Sequence, residues 1–290
     1  MEILQQLVNG IALGSTYALV ALGFSMVYGL LFFINLPHGE VMMVGAYLAL
    51  GGIVIGLPPV LAVPAAMLLT AALGVVVERL AYRRLRRARR LAPVLSALGL
   101  VLVLQNGVRL LVGPQTLSFP PILGSQSLQL AGLHVTSSAL WTIVIAGVLL
   151  LALELFARRT DVGIAIRGAS EDPVGAILMG INPDRIVAVA FAVGSGLAAV
   201  AGVLLAARYG SVSPFMGFPV MLKAFAACVL GGIGNLRGAV IGAMVIGLAE
   251  VLAGAYLGGI YQDVMAFTVL VVALLLWPAG LLRGRSETAV

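Results

Sequence analysis

Apolar runs of about the length a helix needs to cross a bilayer follow one another along this chain. They occupy 7–31, 41–57, 60–77, 93–112, 139–156, 186–207, 239–257 and 264–277. A shorter one lies at 220–230. None shows the ten-residue alternation of a membrane β-barrel, so each run predicts a helix. Polar breaks separate them. The stretch 32–40 holds Asn35, Pro37, His38 and Glu40; Pro58-Pro59 ends the second run; GGIGNLRG follows the short run at 220–230. The longest polar interruption, RRTDVGIAIRGASEDPVGAILMGINPDR (158–185), carries eight of the 28 charged residues. Two short helical pieces are expected in it, over 163–167 and 172–179, with Ser170 or Asp172 as the cap ahead of Pro173. Gly180 and Asn182-Pro183 stop the second piece.

Composition strengthens this picture. The 290 residues are 61% hydrophobic and 10% charged, where a soluble domain carries roughly 25% charged residues. Mean hydropathy is +1.14. The fold expected is an all-α polytopic transmembrane helix bundle of eight or nine spans, some of them discontinuous. Sixteen of the 17 basic residues are Arg, and seven of these fall within 79–90. Such clusters orient a membrane protein with their loops in the cytoplasm. By that rule 79–90, 158–185 and the C-terminus with Arg283 and Arg285 are cytoplasmic, and the uncharged 113–138 lies on the far side. Nine spans put the N-terminus outside, and one re-entrant segment reduces the count to eight. MEILQQ reads as the start of a retained helix, because no basic residue precedes the first run.

The two interrupted places correspond. Run 7–31 ends in Tyr28-Gly29, followed by a break and a short span; run 186–207 is followed by Tyr209-Gly210, a break and a short span. Oppositely directed helices in matching positions raise an inverted repeat, the arrangement in which transporters place broken helices near substrate. Residue identity between the two is slight, and coincidence is the competing reading.

Enzymatic chemistry finds no support. Only two His (His38, His134) and one Cys (Cys228) occur, without metal-ligand spacing or a nucleophile–His–acid set. No phosphate loop is present, and Lys223 is the only lysine. Neither a metal nor a cofactor is expected, and Cys228 reads as a buried inert thiol. Polar groups at membrane depth are candidates for a lined pathway: Asn35, His38 and Glu40 at the first break, Lys223 and Asn235 around the second, and Asn106 near the outer end of the fourth run. The plainer reading makes His38 and Glu40 an interfacial helix cap.

Three stretches carry a family resemblance. GSTYALVALGFSMVYGLLFFINLPHGEVMMVGAYL (14–48), EDPVGAILMGINPDR (171–185) with FAVGSGLAAVAGVL after it, and KAFAACVLGGIGNLRGAVIGA (223–243) resemble the LivH-type permease of bacterial branched-chain amino-acid ABC transporters. The resemblance runs in order over nearly the whole chain. It implies one permease domain over 1–290 and an inner-membrane location. It also implies a LivM-type second permease, two cytoplasmic ATPases and a periplasmic substrate-binding protein as partners. The segment 158–185 then corresponds to the loop that couples to the ATPase, with Glu171, Asp172, Ala176, Gly180, Ile181 and Asn182 on the family pattern and Arg167 counted beside them. Ala176 and Gly180, four apart, suggest a close-seating face. One departure is Pro37 before His38, where the family more often has a small residue. Urea or a short amide is the alternative cargo. A stand-alone channel or secondary transporter is the alternative class, and a membrane enzyme a third.

Overall fold

The computed structural model describes residues 2–85, 91–124, 126–130, 133–277 and 280–282. Arg86, Arg87, Arg89, Arg90, Arg283 and Arg285, all used above as orientation signals, lie outside the described residues. Among those described, nine helices run between the two ends of a bundle: α1 (Glu2–Leu31), α2 (His38–Val54), α3 (Pro59–Val77), α4 (Leu91–Val112), α5 (Ser137–Arg159), α8 (Pro183–Tyr209), α9 (Gly217–Gly231), α10 (Leu236–Tyr256) and α11 (Tyr261–Leu276). Two short helices, α6 (Asp161–Glu171) and α7 (Pro173–Leu178), sit between α5 and α8. Six of the nine are long and apolar enough to cross a membrane; α2, α9 and α11 are shorter, at 17, 15 and 16 residues.

The ends are fixed by contacts across long sequence separations. At one end Tyr82, in a π-helical turn that prolongs α3, donates to Asn35 Oδ1 at 3.1 Å. There Arg83 pairs with Asp184 at the start of α8, and Arg237 at the start of α10 lies 3.2 Å from Glu154 near the end of α5. The backbones of Leu281 and Leu282 donate to the carbonyls of Leu230 and Gly231. This is the arginine end. At the other, Arg208 donates to the Asn9 carbonyl (3.4 Å), and a two-residue strand β1 (Leu117–Ser118) pairs antiparallel with β4 (Ser211–Val212). A hairpin, β2 (Ser127–Leu130) with β3 (Leu133–Thr136), completes the small amount of sheet, within the stretch expected as plain loop. Neighbouring helices alternate in direction, and α9 begins inside the bundle beside the start of α2.

Two four-helix units emerge, α1–α4 and α8–α11. In each, a long helix is followed by a break and a short helix, then two more. The packing repeats with the direction reversed: α1 lies along α10 as α8 lies along α3, and α2 packs on α3 as α9 packs on α10. The register agrees as well. A Cβ on Gly247 would overlap the Gly14 backbone, and one on Gly74 would overlap the Ser195 hydroxyl. The spacing from Gly14 to Ser195 is the spacing from Tyr28 to Tyr209. The inverted repeat suggested by the two breaks is therefore present in the fold.

Lipid is as apolar as a leucine side chain, so association of these helices relies on close packing and polar ties. The long helices α1 and α8 form the centre, with Ala18, Leu19, Val20, Ala21, Ala198 and Ala201 buried. Small residues are interleaved there with Leu, Phe and Met, and Cys228 is a buried thiol donating to the Ala21 carbonyl at 3.2 Å. A tie of the polar kind is Tyr82 with Asn35, the ring packed at a tilt against Phe33 (4.9 Å between centroids) and Phe191 (5.5 Å). Tyr82→Phe leaves a buried amide oxygen without its donor and is expected to cost roughly 1–3 kcal/mol. Thermal unfolding in detergent checks this; an unchanged midpoint would show that water replaces the phenol.

Candidate functional site

At the arginine end, three polar side chains set the geometry of the segment between α5 and α8. Thr160 caps α6, its Oγ1 accepting from the Gly163 amide at 3.0 Å. Asp172, not Ser170, caps α7: Oδ1 accepts from the amides of Val174 (3.1 Å) and Gly175 (2.9 Å). Asn182 caps α8 through the amides of Asp184 (3.0 Å) and Arg185 (3.3 Å). Gly180, at φ +82°, turns the chain after α7, and the Ile181 amide closes back on the Ala176 carbonyl at 3.0 Å. Both helical pieces expected from sequence exist, with the first longer than foreseen because Thr160 starts it earlier.

This arrangement sorts the sequence candidates. Ala176 is 7% exposed and packs into the bundle, so it seats α7 on its own protein. Arg167, Glu171, Asp172, Gly180 and Asn182 are exposed and Ile181 is half-buried. The face α7 turns outward is apolar: Val174, Ile177, Leu178 and Met179 are 67%, 55%, 82% and 83% exposed. Sequence reading missed these four residues. Their signal was an apolar pair, Leu178-Met179, standing just before a helix stop in an otherwise charged loop. Asp172→Ala removes the α7 cap and is expected to cost about 1 kcal/mol, with Asp172→Asn close to neutral. Protease cleavage within 172–182 reads the difference, and equal cleavage of both variants would remove the cap from the account.

Inside the bundle, α2 and α9 begin side by side. His38 lies against Gly23, eight residues before the end of α1, so α2 starts about 12 Å inward from that end. A Cβ on Gly39 would overlap the Gly217 carbonyl, and one on Gly217 would come within 2.7 Å of Glu40 Oε2. Two helix N-termini, each with partial positive charge, thus meet in the interior with the Glu40 carboxyl beside the second. Gln105 of α4 donates to Glu40 Oε1 at 2.9 Å. Glu40 Oε2 and His38 Nε2 are buried without a hydrogen-bond partner among the described residues.

The other interior candidates separate. Lys223 Nζ lies 2.7 Å from Glu250 Oε1 and 2.7 Å from Asp263 Oδ1, binding α9 to α10 and α11. Tyr17 of α1 donates to Glu250 Oε2 at 2.9 Å. Asn35 is held by Tyr82. Asn235 caps α10 through the amides of Arg237 and Gly238, both at 3.1 Å, and donates to the Leu282 carbonyl at 3.0 Å. Asn106 is exposed and accepts from Arg109 at 3.1 Å, while its neighbour Gln105 turns inward to Glu40. No group of three or more potential metal ligands occurs among the described residues.

Comparison with known proteins places this geometry. Residues 6–274 match the family described as branched-chain amino acid transport system, permease component. The high-affinity branched-chain amino acid transport system permease protein LivH of Escherichia coli K12 is 42% identical over 98% of this chain and 96% of its own. The corresponding protein BraD of Pseudomonas aeruginosa is 41% identical over the same shares. Among solved structures, PsaBC from Streptococcus pneumoniae, in complex with Fab, superposes with a TM-score of 0.54 at 13% identity, covering 96% of this chain and 93% of that one. That likeness concerns the fold alone.

Proposed function

The chain belongs to the permease-component family of branched-chain amino acid transport systems, and from that premise we propose that it is the membrane-spanning subunit of an ATP-binding-cassette importer carrying leucine, isoleucine or valine. It is a multi-pass membrane protein and a transport component. In this reading it sits in the bacterial inner membrane, as one domain over 1–290 with the C-terminus and the arginine end in the cytoplasm. A second permease of LivM type, two ATPases and a periplasmic binding protein complete the machine.

The observation that carries the coupling assignment is the α6–α7 pair. Two capped short helices stand at the arginine end and expose an apolar patch flanked by Arg167 and Glu171, which suits a groove on a soluble ATPase. ATP-driven closure of the ATPases moves 158–185 as a unit, because three caps hold it. That motion rocks the two inverted units against each other. The meeting point of α2 and α9 is the element placed to respond, and His38 and Glu40, whose Nε2 and Oε2 are buried without a partner among the described residues, are the pathway residues we favour. Asn35, Lys223 and Asn235 hold elements that border it. Asn106 is exposed on α4 and does not border it. A pathway for an apolar side chain binds weakly and leaves selection to the binding protein.

Uptake of labelled leucine into proteoliposomes tests this. The vesicles hold this chain, its partner permease, both ATPases and the cognate binding protein, with urea as competitor. ATP-dependent leucine uptake insensitive to urea is expected. ATP-dependent uptake of urea alone would change the cargo, and uptake without ATPases would replace the class by a channel or carrier.

A further inference from the structure

A crevice of about 540 Å3 opens between α3 with its π-helical extension and the first three turns of α8. Its mouth is basic, with the guanidinium groups of Arg79, Arg83 and Arg185. Two acids belong to it as well, and both are engaged. Asp184 pairs with Arg83, and Glu78 is 1% exposed and has a partner of its own. Arg79 and Arg185 are exposed and make no side-chain hydrogen bond or ion pair among the described residues. The sequence adds four arginines directly beyond the described stretch, at 86, 87, 89 and 90.

Away from the mouth the lining changes character. Val75 on α3 and Ala188, Val189 and Ala192 on α8 form an apolar wall. From Arg185 to Ala192 this wall runs about 10 Å along the helix axis, in the direction of the membrane-spanning part of both helices. Small side chains on α8 keep the groove open. A cationic mouth at the membrane surface, continuous with an apolar channel running into the bilayer, matches one class of ligand. We propose that this crevice binds an anionic phospholipid, with the phosphate between Arg79 and Arg185 and the first part of an acyl chain along Val75, Val189 and Ala192. An acidic protein segment would satisfy the arginines and leave the wall uncovered, which is why the lipid is favoured. The site borders Asn182 and the start of α8, so a bound lipid would brace the end of 158–185 that enters the membrane. The proposal rests on the membrane reading only for the leaflet, not on the cargo.

Native mass spectrometry of the full-length protein in detergent, equilibrated with equal phosphatidylglycerol and phosphatidylcholine of matched chains, tests it. Retention of phosphatidylglycerol about tenfold above phosphatidylcholine is expected for the unmodified protein, given the attraction of two arginines for anionic lipid. Arg79→Gln with Arg185→Gln should abolish the preference. Arg237→Gln, at the same end but remote from the crevice, should keep it. Ala192→Phe should weaken retention with the charges in place, and millimolar inorganic phosphate should fail to displace the lipid. All variants must elute as monodisperse protein. Equal retention by the double variant, displacement by inorganic phosphate, or a double variant that keeps its lipid and loses ATPase co-purification would each overturn the proposal.

Discussion

Lys223→Met is expected to lower the stability of the purified protein by roughly 3–5 kcal/mol. Glu250 is 2% exposed on its side chain and stands between Lys223 and Tyr17. Removing the ammonium leaves a carboxylate in the bundle with one neutral donor, and desolvation is then uncompensated. The loss should come from Glu250 rather than from Asp263, whose side chain is 67% exposed and is screened by solvent. Asp263→Asn is therefore expected to change little. Lys223→Met with Glu250→Leu removes both buried charges and should recover most of the loss, since well-packed apolar replacements of a buried pair are often neutral. Thermal unfolding of the three variants decides. A Lys223→Met variant as stable as the parent would mean that the ammonium and carboxylate are both hydrated, and the cluster would cease to be a tie among α1, α9, α10 and α11.

The second large effect belongs to transport. Leu178→Glu with Met179→Glu is expected to reduce ATP-driven uptake and ATPase co-purification by more than about tenfold, the scale of losing an interface anchor. Both side chains are more than four-fifths exposed, so the fold has no stake in them. Ala176→Leu is the contrasting case. Ala176 is buried against the bundle, and a larger side chain there lifts α7 from its seat and should lower stability before it affects docking. Undiminished co-purification of the glutamate double variant would remove the apolar face of α7 from the ATPase contact and return the assignment to Glu171 and its neighbours.

The sequence made some of this legible for a physical reason. Helices in lipid must satisfy their backbone internally, so breaks in apolar runs had to be marked, and the chain turns at Phe32, three residues after Tyr28-Gly29, and at Gly210 and Gly180. One cap was legible as one of two choices, since Asp172 stands directly before Pro173; Asn182 was read as a stop, and it also caps α8. Lateral placement was not legible. A helix apolar on every face has no moment to say which side is buried. Asn106 was accordingly chosen where Gln105, one residue earlier, is the side chain that reaches Glu40. Nor could spacing reveal that Lys223 meets Glu250 and Asp263, because those partners lie on helices whose neighbours are set by the whole bundle. Ala176 and Gly180 drew attention as a small-residue face, but burial divides them: one seats the helix and the other ends it.

The reversed packing of the two units has a consequence for biosynthesis. Loops in equivalent positions must finish on opposite sides of the membrane, although one insertion machinery handles both. The link between the third and fourth helices of the first unit carries seven arginines; its counterpart, between α10 and α11, reads LGGI (257–260) and carries none. The asymmetry in arginine content therefore acts as an instruction for orientation, holding one link back and letting the other through. The packing of the first three helices repeats between the two units, and the arginines do not.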